Sequence, residues 1–231
     1  MDEIYQKTKI VLGEANMQKL KESKICICGV GGVGSYVLEA LARVGIGSIT
    51  IIDNDYVDIT NVNRQLIATV DNVGNSKVEE AKKRIKAINP EIQVTAIKAF
   101  IDSDNIEEYI LKDYDYVIDA IDSVESKIAL IKTCKKYNVK IISSMGMANR
   151  LDPLQIKVAD ISKTEVCPLA KIVRKRLREE GIKKVKVVFS TECAVKTESK
   201  ILGSVSYVPA AAGLVIASNV VKDIIQESDE T

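Results

Sequence analysis

Residues 24–53 read KICICGVGGVGSYVLEALARVGIGSITIID, and the fold is decided there. The apolar run Ile25 to Val30 breaks into Gly29, Gly31, Gly32 and Gly34, after which Val33, Val37, Leu38, Leu41 and Val44 recur at helical spacing. Gly45 and Gly47 stop that helix, and Ile49 to Ile52 is a second apolar run, ending in Asp53, 24 residues beyond Gly29. Strand, tight turn, helix and strand make a mononucleotide-binding βαβ unit. In such a unit the backbone N–H groups at a helix N-terminus receive phosphate, and the acid ending the second strand receives ribose hydroxyls. This stretch alone admits a nicotinamide dinucleotide as readily as ATP.

Outward from it, strands and helices alternate. Glu14 to Lys21 predicts a short helix, preceded by a basic arm, Tyr5 to Ile10. Asn54 to Leu66 is a polar loop at the carboxyl end of a strand, where open parallel sheets bind ligands. Ser76-Lys-Val-Glu79 predicts a capping box, and Val78, Ala81, Ile85 and Ile88 then line one helical face before Pro90. Lys77 falls in the first turn, where it opposes the helix dipole by a few tenths of a kcal/mol, roughly, and is suited to meet an anion. Ile92 to Ile97 reads as a strand and Asp104 to Leu111 as a short helix. Tyr116 to Asp122 reads as a buried strand with two acids, Asp119 and Asp122; at least one must face a cation or a ligand, because an unpaired buried carboxylate is very costly. A helix marked by Ile128, Ile131 and Cys134 and a strand from Lys140 to Met145 follow.

This alternation predicts an α/β fold: a Rossmann-like, doubly wound, mostly parallel sheet. Leu154 to Val158 and Val185 to Phe189 are expected as additional C-terminal strands, separated by a basic helix from Pro168 to Glu180. Thr191 to Gly203 reads as a crossover loop, and Pro209 to Ile225 as a helix apolar nearly all round. That helix is short for a membrane span and is interrupted by Asn219, Lys222 and Asp223, so a buried or dimer-interface helix is expected. Gln226 to Thr231 is a polar tail.

With 231 residues, 46% of them apolar, the chain can bury one large core. Its net charge of +1 excludes a broad basic field. Any nucleic acid must therefore be held by a local patch, and Lys171, Arg174, Lys175, Arg178, Lys183 and Lys184 are the densest one. The cysteines, 26, 28, 134, 167 and 193, show no C-x-x-C spacing, and three lie in apolar runs, as expected of buried thiols in a reducing cytoplasmic compartment. The chain has no histidine, which excludes His-bearing zinc sites and Ser-His or Cys-His catalysis. Met1 to Leu20 has charges throughout and reads as neither signal peptide nor anchor.

The strand ends collect Asp53 and Asp55, Asn61 with Arg64 and Gln65, Lys77, and Asp119 with Asp122. A dinucleotide site has no evident use for two such cations and a metal-suited acid. A triphosphate does: cations grip phosphates, and an acid holds Mg²⁺ against them. A carboxylate attacking the α-phosphate is already ionised at neutral pH, so the missing histidine is no obstacle.

GVGGVGS (29–35), DNDYVDITNVNRQ (53–65), GNSK (74–77) and DAIDS (119–123) together resemble the E1-like superfamily that includes ThiF and MoeB. Residues 117–124, 151–164, 167–190 and 203–213 are similar, more closely, to its tRNA threonylcarbamoyladenosine dehydratase family. The resemblance implies one E1-like domain over 1–231: an N-terminal arm and helix (1–23), a nucleotide-binding core (24–146), a part for substrate, tRNA and dimer contacts (147–225), and a tail (226–231). It implies that ATP meets Gly29, Gly31, Gly32, Gly34, Asp53, Asp55, Asn61, Arg64, Gln65, Lys77, Asp119 and Asp122. Asp53 would hold ribose, Arg64 and Lys77 the phosphates, and Asp122 magnesium, with Arg64, Lys77 and Asp122 as the catalytic set. It further implies adenylation and cyclisation of threonylcarbamoyladenosine in ANN-decoding tRNA, a homodimer, and an association with sulfur-relay proteins. Lys7 stands where such proteins commonly present an arginine that reaches the partner's ATP; it keeps the charge but lacks the bidentate fork. Three alternatives remain open: an E1-like activator of a ubiquitin-like sulfur-carrier protein or a sulfur-relay component, an NAD-linked oxidoreductase, and a non-catalytic scaffold.

Overall fold

The computed structural model describes residues 2–110 and 113–226. Seven strands form one sheet in the order β3-β2-β1-β4-β5-β7-β6. They are β1 (Lys24–Cys28), β2 (Ser48–Ile52), β3 (Gln93–Ile97), β4 (Tyr116–Asp119), β5 (Ile141–Ser144), β6 (Ile156–Asp160) and β7 (Lys186–Ser190). All neighbours run parallel except β6, which lies antiparallel to β7 at the edge. The doubly wound α/β sheet with extra C-terminal strands expected from the sequence is thus present. After Lys24 every residue of β1 is buried, as are all four of β4 and of β5. Strands covered by helices on both faces have no polar side to show, so their sequences are continuous apolar runs.

One face packs Ile25, Ile27, Ile49, Ile51 and Ile118 against α3 (Gly34–Val44), α4 (Lys77–Ile88) and α8 (Tyr207–Gln226). The other packs Cys26, Cys28, Val117 and Ile141 against α6 (Val124–Tyr137) and α7 (Pro168–Glu179). Cys26, Cys28, Cys134 and Cys167 are buried and Cys193 is exposed.

The helix α8 has 20 residues and is long and apolar enough to cross a membrane, not short for a span as the sequence suggested. It lies on α3 with Val208, Ala212, Ile216 and Val220 in the core. The crossing is close: a Cβ on Gly213 would stand 2.5 Å from the Val33 carbonyl oxygen.

Several boundaries differ from the sequence reading. The arm at Tyr5 to Ile10 is helical, a 3-10 turn (Asp2–Tyr5) leading into α1 (Gln6–Leu12), and α2 is Glu14–Glu22. Ser76 stands at the N-cap of α4 but its side chain makes no cap bond. The Lys77 N–H donates to the Asp55 carbonyl at 3.1 Å, and the Ser76 hydroxyl is buried without a partner. The strand β4 stops at Asp119, so Asp122 lies in the following loop. A 3-10 turn (Pro153–Gln155) delays β6, and α5 is only Ile106–Tyr109. Leu111 and residues 227–231 of the expected tail lie outside the described residues. The last helix starts two residues before Pro209, because proline is tolerated in a first turn where N–H groups have no intrahelical acceptor.

Candidate active site

The winding direction reverses between β1 and β4, where a doubly wound sheet opens its crevice. Cys28 is level with Ile52 and Asp119, and Asp119 with Ser143, so four strands end together. Above them lies a cleft of about 520 Å³, in the size range of small-molecule sites, roughly 300–1,000 Å³.

Its floor is the glycine turn. Gly29, at φ +88°, and Gly34 hold the turn shut, since a Cβ on Gly34 would sit 1.9 Å from the Gly29 carbonyl oxygen. Gly31 and Gly32 line the cleft, and a Cβ on Gly31 would meet no protein atom closer than 3.8 Å. The emptiness above Gly31 therefore belongs to the cleft. In the first turn of α3 the Ser35 and Tyr36 N–H groups are taken by the Gly31 and Val33 carbonyls, each at 3.1 Å, so α3 brings the positive end of its dipole to the turn.

Asp53 is fixed from both oxygens: Val30 N–H donates to Oδ2 at 2.7 Å and Asp55 N–H to Oδ1 at 2.8 Å. Two amide donors leave its outward lone pairs for a ligand's hydroxyls. Arg64 and Gln65 form the next wall. Arg64 donates from Nη1 to Thr60 O and Asn63 Oδ1, at 2.7 and 2.9 Å. Gln65 is buried and its Oε1 has no partner. Across the cleft Asp122 is exposed, beside the N-terminus of α6, where Ser123 accepts from Ser126 N–H.

Four expected ligand residues are not at this surface. Asp119 is fully buried: Lys127 Nζ and Ser143 Oγ donate to its Oδ2 at 2.8 and 2.5 Å, and Ile121 N–H to its Oδ1 at 3.1 Å. The cation it faces is thus Lys127, which also donates to Ser144 O at 2.9 Å. Lys77 is 5% exposed and donates to Asp55 Oδ2 at 2.8 Å, so it stands behind Asp55 and not on the cleft wall. Asn61 is spent on a 3-10 turn, where its Oδ1 accepts from Asp58 N–H at 3.2 Å. Gly34 serves packing, as above. Gly29, Gly31, Gly32, Asp53, Asp55, Arg64, Gln65 and Asp122 do line the cleft.

The sequence reading missed the apolar walls, Ala99, Phe100 and Ile101 after β3 and Met145 to Ala148 after β5, and the far rim, Leu202 to Ser204 with Pro209. Phe100 is 52% exposed, an aromatic face open to a flat ring. These residues follow strand ends and carry no charge, so only the position of a strand end could have pointed to them.

The basic segment forms a separate groove of about 720 Å³, lined by Lys171, Arg174, Lys175, Arg178, Lys183 and Lys184 over a ledge at Ile161. Arg174 turns inward and donates to Thr164 O at 2.7 Å. Lys7 lies on α1, which begins beside the C-terminal end of α3: Tyr5 OH, just before α1, donates to Ala42 O at 3.0 Å.

A model of the ThiF family matches residues 5–231. The chain is 44% identical to the tRNA threonylcarbamoyladenosine dehydratase of Bacillus subtilis, over 96% of this chain and 95% of that one. Crystal structures of Escherichia coli TcdA, the tRNA N6-threonylcarbamoyladenosine dehydratase, share its fold. The complex with AMP has a TM-score of 0.93 at 42% identity, covering 97% of this chain and 95% of that one. The complex with ATP has a TM-score of 0.94 at 40% identity, covering 99% and 96%.

Proposed function

The chain belongs to the ThiF family, in its tRNA threonylcarbamoyladenosine dehydratase branch, and on that premise we propose that it uses ATP to adenylate the threonyl carboxylate of N6-threonylcarbamoyladenosine in tRNA and promotes its cyclisation. The observation that carries this reading is one cleft at the sheet's crevice lined by a bare glycine turn, a doubly anchored acid, a cation and an unpaired acid: Gly31–Gly32, Asp53, Arg64 and Asp122.

ATP supplies the adenylyl group that turns a carboxylate oxygen into a leaving group, and the carbamoyl group of the same nucleoside closes the ring. The chain's residues position and neutralise. Asp53 receives ribose hydroxyls, Phe100 and Met145 flank the base, and Arg64 and the amides of the glycine turn receive phosphate. Lys77 acts through Asp55, holding that carboxylate in an ion pair so that it does not repel an incoming anion. Asp122 fits Mg²⁺, which commonly takes one or two carboxylates and completes its shell with phosphate and water; Asp119, spent on Lys127, does not. No side chain is asked to remove a proton from the attacking carboxylate.

The exposed cations of the α7 groove, Lys171, Lys175, Arg178, Lys183 and Lys184, are assigned to the tRNA backbone. Lys7 serves a partner's cleft in a homodimer, because α1 packs at the end of α3 remote from its own. The cytoplasm, where the tRNA is, is the working compartment.

Deleting the gene and analysing tRNA nucleosides by mass spectrometry tests substrate and chemistry together. Uncyclised threonylcarbamoyladenosine should accumulate; an unchanged nucleoside profile would reject the proposal.

A further inference from the structure

Arg150 is 3% exposed, and its Nε and Nη1 are buried without any hydrogen-bond partner. A buried charge is costly unless it is paired and hydrogen-bonded. The chain on either side of Arg150 is, by contrast, tied down. Asn149 N–H donates to Gly203 O at 2.9 Å, Gly203 N–H to Asn149 Oδ1 at 2.7 Å, and Val195 N–H to Asn149 O at 2.8 Å. On the other side Leu151 and Asp152 donate their N–H groups to the Glu192 carboxylate, at 3.0 Å. The clamp is built tightly: Asn149 holds a left-handed φ of +54°, and a Cβ on Gly203 would stand 3.1 Å from Asn149 Oδ1.

This clamp is the far rim of the active cleft. Met147 and Ala148 immediately before it, and Leu202 to Ser204 fastened across it, all line the cleft. The same cleft contains Gly31 and Gly32, and Gly32 stands against Pro209, three residues beyond the strap that ends at Ser206. The rim therefore borders the cleft beside the glycine turn, and Arg150, which follows Ala148 and Asn149 in the chain, is buried just off the cleft wall.

We propose that Arg150 is an acceptor-binding residue: its guanidinium, buried without a protein partner on the residue next to the Asn149–Gly203 clamp, receives the carboxylate of the incoming acceptor when the strap at 202–204 yields to admit it. A planar fork of N–H donors matches a carboxylate bidentately, and the strand of charge that the protein leaves unanswered is answered by substrate. The inference rests on the function proposed above and adds to it the group that recognises the modified nucleoside.

The full-length chain is measured as wild type, Arg150→Met and Arg150→Lys, with ATP and Mg²⁺, on tRNA bearing threonylcarbamoyladenosine and on the same tRNA unmodified. Arg150→Met is expected to raise the KM for modified tRNA tenfold or more, with unmodified tRNA binding and ATP affinity by calorimetry both unchanged. Arg150→Lys should restore part of the loss. The melting temperature of Arg150→Met should equal or exceed that of wild type, since an unanswered buried charge has been removed. A wild-type KM in Arg150→Met, with or without a lower melting temperature, overturns the inference and makes the arginine structural. Weakened ATP binding overturns it in favour of a phosphate contact. A wild-type enzyme that does not convert modified tRNA rejects the underlying function instead.

Discussion

Asp119 and Asp122 are three residues apart and chemically identical, yet the fold gives them opposite tasks. Asp119 closes a fully buried network with Lys127 and Ser143, whereas Asp122 faces the cleft unpaired. Asp119→Asn leaves the Lys127 ammonium buried without its counter-charge, so urea unfolding should show a loss of about 3–5 kcal/mol. Asp122→Asn should unfold as wild type does and yet release pyrophosphate about 10²-fold more slowly, the scale of losing one preorganised electrostatic contact. Equal stability losses in the two variants would contradict this division. The sequence could say that one of the acids needs a cation, but not which. The choice depends on Lys127, which comes from a helix on the other side of the strand end, and on the strand ending at Asp119. Lys77 teaches the same lesson: its place in a first helical turn was legible, while the direction of its stem was set by Asp55, 22 residues away.

At the level of elements, the βαβ unit was legible almost completely, because glycine spacing and buried parallel strands both leave strong local marks. Within it two glycines differ. Gly34→Ala drives a methyl into the Gly29 carbonyl and should prevent folding, whereas Gly31→Ala has room within the protein and should fold normally while weakening ATP binding; calorimetry and thermal melting separate the two. What stayed hidden were the joints between elements. A staple between α3 and α4 is one: Glu39 accepts from Arg43 Nε at 2.6 Å and from Arg84 Nε and Nη2 at 2.8 and 2.7 Å. Burial alone would raise the Glu39 carboxyl, but the Arg84 and Arg43 guanidiniums outweigh it and hold it below its ordinary value of 4.5. A carboxylate depressed in the folded state contributes stability that is present above that value and lost as pH falls through the folded one. Glu39→Gln should therefore cost about 2 kcal/mol at pH 7, and the difference from wild type should shrink on acidification below pH 4.5. A difference independent of pH would mean that packing, not charge, carries the staple.

For the whole molecule, a net charge of +1 leaves RNA no general attraction to the surface, so any affinity must come from where the cations are gathered. The helix α7 joins the two sites: Leu169 in its first turn lines the cleft, and Lys171, Lys175 and Arg178 line the groove along the same helix. Twelve residues of helix span about 18 Å, so an RNA strand laid along α7 can present a nucleoside to the cleft while its phosphates remain in the groove. Not every cation of the helix is available, however. Arg176 is held bidentately by Glu125 at 2.8 and 2.9 Å, while Lys183 and Lys184 stand exposed at the groove's end. Removing Lys183 and Lys184 together should lower tRNA affinity and flatten the dependence of log K on log salt by about 1.5 units, the release of counterions from two phosphates. ATP affinity should not change, and Arg176→Ala should leave the slope as it is. Binding titrations between 50 and 200 mM salt, on the order used to expose such slopes, decide the matter: an unaltered slope in the double variant would move the RNA track off α7 to another face of the molecule.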